Sequence, residues 1–271
     1  MEYTTGIGTA AIARAARPGG ARPLNKAEHA AGAEATVPLR THCNSCNLRD
    51  LCLPCGLDRR DMETMGDLVY TRKRVKAGES LYQAGTAFKS LYAVRTGFFK
   101  SFVVTESGRM QVTGFQMSGE IIGVDGIDGE RHTLNVVALE DSEVCVIPYV
   151  RLEQMCERVP ALRHQIHRMM AREIVRDHGV MLLLGSMRGE ERVAAFLLNL
   201  SKRFVARGYA AAKFELRMSR EEIGSYLGLK LETVSRIFSR FQDMGLLAVH
   251  KKSIGILDIA GLQRIMAPPA A

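Results

Sequence analysis

Four cysteines lie within one short stretch, at Cys43, Cys46, Cys52 and Cys55, and form the pattern C-x2-C-x5-C-x2-C. Thiolates are soft ligands that suit zinc and iron–sulfur clusters, and four of them in one loop are difficult to explain as core packing. A zinc ribbon normally separates its two cysteine pairs by about 15–20 residues, so this close spacing argues against a structural zinc ion. The stretch therefore predicts a metal or redox centre, while its spacing alone leaves the fourth ligand open.

The use of cysteine also indicates a cellular compartment. The chain has 6 cysteines among 271 residues and shows no secretory hydrophobic region. In a reducing cytosol, clustered cysteines bind metal or carry out redox chemistry and do not form bridges. Since no apolar run approaches the ~18 residues of a membrane span, we expect a cytoplasmic protein without a membrane segment.

A second element with chemical meaning lies near the C-terminus. Ser219 and Glu222 have the spacing of a capping box, which predicts the start of a short helix, and Gly228 supplies the turn that ends it. Further along, two short apolar stretches flank Lys251 and Lys252, as expected for the hairpin of a winged helix-turn-helix.

The helix after this turn predicts contact with double-stranded DNA. Its apolar residues recur at i, i+3, i+4 and i+7 and must face the core, which leaves Glu232, Ser235 and Arg236 on the opposite face. Arginine grips guanine, glutamate accepts a hydrogen bond from cytosine, and serine is a short adaptable contact. The net charge is +8, and residues 188–271 carry 14 Lys and Arg against 8 Asp and Glu, a basic excess that attracts phosphates. The apolar stripe comprises Val234, Ile237, Phe238 and Phe241.

The remaining segments must position these two elements. Residues 1–40 are rich in Ala, Gly, Arg and Pro and bury too little apolar surface to fold, so we predict a disordered tail. Residues 41–159 alternate short apolar stretches with frequent glycines, which indicates a β-roll sensor domain that carries the cysteine loop. We expect one long helix over residues 160–186 and the DNA-binding domain over residues 187–271. The predicted fold class is α+β.

The long helix carries a seam that predicts a homodimer. Its seam positions are separated by 3 and 4 residues in alternation, which is the period of a coiled coil. One of them is Asp177, and two such charges facing each other in a partly desolvated interface would make the dimer marginal. An ordinary amphipathic helix packed on the β-roll is the alternative. The seam consists of His167, Met170, Ile174, Asp177, Met181 and Leu184.

The stretch from Cys43 to about Ile259 resembles the CRP/FNR superfamily of bacterial regulators, and specifically its FNR branch, the oxygen-responsive fumarate and nitrate reduction regulators. The sensor cysteines, the β-roll segments, the dimer helix and the recognition helix follow one another in the family's order. The matching residues are Cys43, Cys46, Cys52, the distant Cys145, Ser90–Gly97, Gln111–Phe115, Asp177 and Leu231–Arg236.

This resemblance implies an N-terminal β-roll, a long dimerisation helix and a C-terminal winged helix-turn-helix. It also implies an oxygen-labile 4Fe-4S cluster held by Cys43, Cys46, Cys52 and Cys145, with Cys55 left as a spare thiol, an alternate ligand or a repair site. Such a homodimer would act mainly as an activator of genes of anaerobic metabolism, together with RNA polymerase, at palindromes with TTGAT-like half-sites. It would not be an enzyme.

Three other functions stand as alternatives. A cyclic-nucleotide sensor needs a glutamate for the ribose and an arginine pair for the cyclic phosphate, whereas this chain has Val124 and Arg131 in those stretches. A thiol–disulfide sensor would use Cys52 and Cys55. An iron–sulfur electron carrier or redox enzyme predicts a nucleotide loop, and the chain has neither G-x-G-x-x-G nor a P-loop. We expect Cys156 to be a small core residue.

Overall fold

The computed structural model describes Cys43, residues 46–65 and residues 71–266, so the tail predicted over residues 1–40 lies outside the described residues. Eight short strands make up the N-terminal half of this part of the chain. Glycines with positive φ close several turns between them, and Gly97 also has no room for a side chain, because a Cβ there would lie 2.0 Å from Ser142 Oγ. The strands are β1 (Thr71–Val75), β2 (Ser80–Tyr82), β3 (Ser90–Thr96), β4 (Phe98–Val104), β5 (Met110–Met117), β6 (Ile121–Ile122), β7 (Asn135–Ala138) and β8 (Ser142–Pro148).

These strands pair into two antiparallel sheets of four strands each, in the orders β1-β8-β3-β6 and β2-β7-β4-β5. Successive side chains of a strand point to opposite faces, so each sheet contributes alternate residues to one shared core. The predicted β-roll is confirmed. Its core includes Val75, Val94 and Val144 from the first sheet and Leu81, Phe99 and Val136 from the second.

The remaining elements are helices and a small third sheet. The helices are α1 (Arg59–Met65), α2 (Tyr149–Arg158), α3 (Pro160–Ser186), α4 (Gly189–Val205), α5 (Arg220–Leu227), α6 (Leu231–Asp243) and α7 (Ile259–Met266), and the strands are β9 (Lys213–Glu215), β10 (Leu247–His250) and β11 (Ser253–Ile256). None of the helices in the described ranges combines the length and the apolar character that a bilayer crossing demands.

Helix α3 is long and makes few buried contacts. It begins with Pro160, whose missing N–H costs nothing in the first turn, and it runs unbroken through Gly179. Of its 27 residues, the buried ones are Leu162 and Gln165 in its first two turns. At 1.5 Å per residue the helix extends about 40 Å, and most of that length has solvent on the side away from the roll.

The helix-turn-helix forms as the capping pattern predicts. Ser219 Oγ accepts a hydrogen bond from Glu222 N at 3.1 Å, and a Glu222 carboxylate oxygen accepts one from Ser219 N at 2.7 Å. Gly228 ends α5 with φ of +63°. The predicted wing is also present, since β10 and β11 pair antiparallel around a turn at Lys251 and Lys252. The residues of the predicted apolar stripe on α6 are buried, namely Val234, Ile237, Phe238 and Phe241.

The DNA-binding half packs directly on the β4–β5 hairpin of the roll. The Phe115 ring on β5 lies 6.1 Å from the Phe196 ring on α4 and 5.3 Å from the Tyr226 ring on α5, measured between centroids. Lys100 Nζ on β4 lies 2.6 Å from Glu222 Oε1 at the start of α5. One hydrophobic core therefore extends from β4 and β5 into the DNA-binding half.

Candidate metal centre and nucleic-acid interface

The cysteine loop consists of tight turns that lie against the outer face of the β1-β8-β3-β6 sheet. Cys46 N donates to Cys43 O at 3.1 Å, and Cys55 N donates to Cys52 O at 3.0 Å. Leu53 anchors the loop, because its side chain is only 1% exposed. The apolar cluster beneath the loop comprises Leu53, Leu91, Ala93, Ile147 and Leu152.

Cys145 lies on β8, in the same sheet. Its cross-strand neighbours are Arg72 on β1 and Ala93 on β3. Because Val144 points into the core of the roll, strand alternation directs Cys145 to the outer face. There it packs against the same apolar cluster as Cys43 and Cys52 of the loop.

Four of the six thiols are electrostatic neighbours. Burial is the main reason that the pKa of Cys52 rises to about 12, and the thiols of Cys43, Cys145 and Cys46 contribute. Burial likewise raises the pKa of Cys145, with a contribution from Cys46. These four thiols are the ones that the resemblance singled out. Cys156 is half-buried on α2.

The donor set fits an iron–sulfur cluster in its chemistry. Thiolate ligands must lose their protons to bind metal, and crowded, half-buried thiols resist this unless a bound cation compensates. All four groups are soft sulfur donors, the ligand type of 4Fe-4S clusters. No three His, Cys, Asp or Glu side chains of the described ranges converge to the distances of a single bound ion, so the grouping rests on the shared packing and on the mutual effect of the thiols.

In the roll, the stretches around Val124 and Arg131, which a cyclic-nucleotide sensor would use, make contacts with other groups of the chain. The rings of Tyr82 and His132 stack with centroids 3.6 Å apart, and Tyr82 Oη donates to Asp125 Oδ1 at 2.8 Å. Val124 packs toward the apolar cluster beneath the cysteine loop. Arg131 Nη1 donates to a backbone carbonyl at 2.7 Å. The side chains of these stretches are therefore already engaged in contacts within the roll.

Helix α6 presents its polar face to solvent. Glu232, Ser235 and Arg236 are all exposed, on the face opposite the buried stripe. The Arg220 guanidinium of α5 stacks on the ring of Phe238, 3.4 Å from its centroid, and this contact holds α5 against α6. The face of α6 that the sequence predicts to contact DNA is therefore accessible in the single chain.

Helix α3 also leaves its predicted seam uncovered in the single chain. Large apolar side chains in water indicate a surface that another chain covers when they form a continuous patch. Along this helix Met170 is 38% exposed, Ile174 55% and Met181 59%, while Asp177 is exposed between them and Leu184 is half-buried.

Sequence reasoning missed the charged groups that surround these elements. Glu120, between β5 and β6, accepts hydrogen bonds from Arg203 of α4 and from Arg207 just after that helix. Arg95 and Arg72 act on the thiol of Cys145. No local spacing signals these groups, because Glu120 and Arg203 are 83 residues apart and meet only when the two halves dock.

Two family models match the chain in the parts just described. Residues 72–159 match the cyclic nucleotide-binding domain, and residues 191–265 match the Crp-like helix-turn-helix domain. The first range corresponds to the β-roll with α2, and the second to the DNA-binding half.

Several known proteins are similar over most of this chain. It is 45% identical to the transcriptional regulatory protein btr of Bordetella pertussis, over 84% of this chain and 95% of that protein. It is 47% identical to the transcriptional activator protein FnrA of Stutzerimonas stutzeri, over 82% of this chain and 91% of that protein. The solved structure of FixK2 from Bradyrhizobium japonicum matches with a TM-score of 0.69 and 31% identity, over 75% of this chain and 100% of that one. Given this coverage, the roll and the exposed recognition helix, the chain belongs to the CRP/FNR family of DNA-binding transcriptional regulators.

Proposed function

We propose that this chain is an oxygen-responsive, homodimeric transcriptional activator whose DNA binding depends on a 4Fe-4S cluster. The observation that supports the proposal is the packing of Cys43 and Cys52 of the loop, and of Cys145 on a distant strand, against one apolar cluster, with the thiol of Cys46 acting on those of Cys52 and Cys145. The relative FnrA, which is named a transcriptional activator, supports the direction of regulation. The contacts of Asp125 and Arg131 within the roll disfavour the rival function of a cyclic-nucleotide sensor.

The cluster would supply sensitivity to oxygen. When it is bound, its ligands would hold the cysteine loop in one position. Three ligands lie in the loop and one in the sheet, so binding ties the loop to the outer face of the roll. Without the cluster the crowded thiols regain their protons, and the loop keeps its apolar contacts, among them the buried Leu53. Because the loop ligands and Cys145 are far apart in sequence, gain or loss of the cluster would attach or release the loop.

One contact leads from the loop toward the DNA-binding half. Leu51 lies so close to Gly119 that a Cβ added there would be 2.8 Å from Leu51 Cβ. The next residue, Glu120, accepts hydrogen bonds from Arg203 of α4 and from Arg207 just after that helix, at 2.6 to 3.0 Å. A shift of the cysteine loop would therefore move the β5–β6 turn, to which Arg203 and Arg207 are hydrogen-bonded.

The second route to DNA binding is dimerisation through α3. Two parallel α3 helices would bring their Asp177 carboxylates together, where like charges repel in a partly desolvated interface. An intact cluster would reposition the helix enough to relieve this repulsion, which couples oxygen sensing to assembly. A monomer cannot engage both half-sites of a palindrome.

On DNA, Glu232, Ser235 and Arg236 would read the major groove of TTGAT-like half-sites. Two-fold symmetry requires these half-sites to lie about one helical turn apart. The bound dimer would recruit RNA polymerase at promoters for anaerobic metabolism, and the protein would act in the cytoplasm.

Six single Cys→Ser variants, purified without oxygen and analysed for iron and sulfide, test the proposal. We expect Cys43→Ser, Cys46→Ser, Cys52→Ser and Cys145→Ser to lose the cluster and anaerobic activation of a reporter gene. Cys55→Ser and Cys156→Ser serve as matched controls and should keep both. Loss of iron in Cys55→Ser with retention in Cys145→Ser would overturn the ligand assignment, and a wild-type protein free of iron and sulfide would overturn the function.

A further inference from the structure

Arg95 occupies an irregular position on β3, close to Cys145. The ladder between β3 and β8 shifts its register between Val94 and Thr96, which leaves Arg95 as the extra residue of a β-bulge. Bulges re-aim side chains and are frequent next to functional sites. The Arg95 side chain extends over the outer face of the sheet, where its Nε lies 3.1 Å from Glu143 Oε1.

One nitrogen of the Arg95 guanidinium is buried without a hydrogen bond. Its Nη1 has no acceptor among the described residues and almost no exposure to solvent, although Nε is paired with Glu143. A buried N–H without an acceptor costs free energy, so such a group in a native protein calls for an explanation. Arg95 lies on the same face of the sheet as Cys145, because its partner Glu143 is two residues before Cys145 on β8 and alternate side chains of a strand share a face.

Two arginines lie beside the carboxylate of Glu143. Arg72, the cross-strand neighbour of Cys145, lies 3.6 Å from Glu143 and Arg95 lies 3.1 Å from it, so two half-buried guanidinium groups share one carboxylate. Arg74 is also 3.9 Å from Glu143, but its side chain is 86% exposed and its charge is screened by water. Two half-buried guanidinium groups therefore lie on the same face of the sheet as Cys145.

We propose that Arg95 is a positioning residue for the cluster, with Nη1 donating a hydrogen bond to a sulfur of the cluster or of Cys145. This inference rests on the proposed function. Four thiolates give an iron–sulfur cluster a net negative charge, and a buried negative charge is stabilised by N–H donors and nearby cations. Donors and positive charge at the sulfurs also tune the reduction potential of a cluster, and removing positive charge makes it more difficult to reduce.

The variants Arg95→Gln and Arg74→Gln test this role as a matched pair. Each removes one charge beside Glu143, but only Arg95→Gln removes the buried donor. With the proteins kept free of oxygen, we expect Arg95→Gln to release iron to a ferrous chelator about 10-fold faster than the wild type, with a lower midpoint reduction potential. Arg74→Gln should stay within about twofold of the wild type, as expected for an exposed charge.

Equal rates and potentials in Arg95→Gln and Arg74→Gln would overturn the inference. A wild type without iron and sulfide would overturn the proposed function as well, whereas a cluster-loaded Arg95→Gln that behaves like the wild type overturns only the role of Arg95. If circular dichroism shows that Arg95→Gln does not fold, Arg95→Lys decides, because it keeps the charge and lacks the Nη1 donor. Faster iron release in Arg95→Lys than in Arg74→Gln supports the donor role, and an unchanged rate overturns it.

Discussion

Glu120 joins the sensor part to the DNA-binding part, and its replacement by glutamine tests that junction. Its carboxylate accepts hydrogen bonds from Arg203 Nε at 3.0 Å, from Arg203 Nη2 at 2.6 Å and from Arg207 Nη2 at 2.7 Å. Arg176 of α3 lies 3.9 Å away. One carboxylate in the β5–β6 turn thus compensates guanidinium groups from two helices.

The expected cost follows from what the change leaves behind. Glu120→Gln removes the negative charge. It also replaces one acceptor oxygen with an amide NH2 group, which then faces the N–H donors of Arg203 and Arg207. Breaking a buried ion pair by removing one partner costs about 3–5 kcal/mol, because the remaining charge is uncompensated. The Glu120 side chain keeps 20% of its surface exposed, so we take the lower end and expect the free energy of unfolding to fall by about 3 kcal/mol.

The pH dependence gives this prediction a second check. Burial opposes ionisation of Glu120, but Arg203, Arg207 and Arg176 outweigh it and hold the pKa of that carboxyl below its usual range. The stabilisation is therefore complete above the ordinary glutamate pKa of about 4.3 and is lost as the pH falls through the lowered folded-state pKa. The difference in the free energy of unfolding between wild type and Glu120→Gln should have its full value at pH 7 and should decrease in acid.

Urea unfolding of the reduced, metal-free proteins, followed by circular dichroism, measures this difference. Glu106→Gln is the control, since Glu106 is an exposed carboxylate at the tip of the β4–β5 hairpin. The reasoning is refuted if Glu120→Gln loses less than about 1 kcal/mol, the value of an exposed ion pair, or if it loses no more than Glu106→Gln.

Three further predictions concern assembly and DNA binding. Asp177→Ala, which removes the charge repulsion from the α3 seam, should form dimers and bind DNA in air without a cluster; analytical ultracentrifugation decides, and an apo wild type that is already fully dimeric would contradict the mechanism. Arg236→Ala should weaken binding to a TTGAT-type site by about 1–3 kcal/mol and relax selectivity at one base pair, and an equal loss on random DNA in a binding titration would exclude a role in readout. Lys251→Ala in the wing should weaken binding to all sequences and reduce the salt dependence of the affinity, whereas a sequence-selective loss would argue against a phosphate contact.

The DNA-binding half could be predicted in detail because its signals are local. The capping pair Ser219 and Glu222, the turn at Gly228 and the apolar stripe of α6 lie within a few turns of one another, and each appears in the structure as expected. The β-roll was predictable only as a class, because glycine spacing indicates short strands and turns but not their order in the two sheets. The fourth cysteine was nominated by resemblance, while spacing alone equally allowed Cys55.

By itself the sequence determined the elements, the exposed face of the recognition helix and the candidate thiols, since all of these depend on residues that are neighbours along the chain. Only the tertiary structure decided that Cys145 packs against the same apolar cluster as the cysteine loop, that the bulge at Arg95 leaves a buried donor on that face of the sheet, and that Glu120 accepts hydrogen bonds from Arg203 of α4 and from Arg207 just after it. These features depend on strand register and on the docking of two halves. Both are set by many contacts between distant residues, so no short pattern in the chain encodes them.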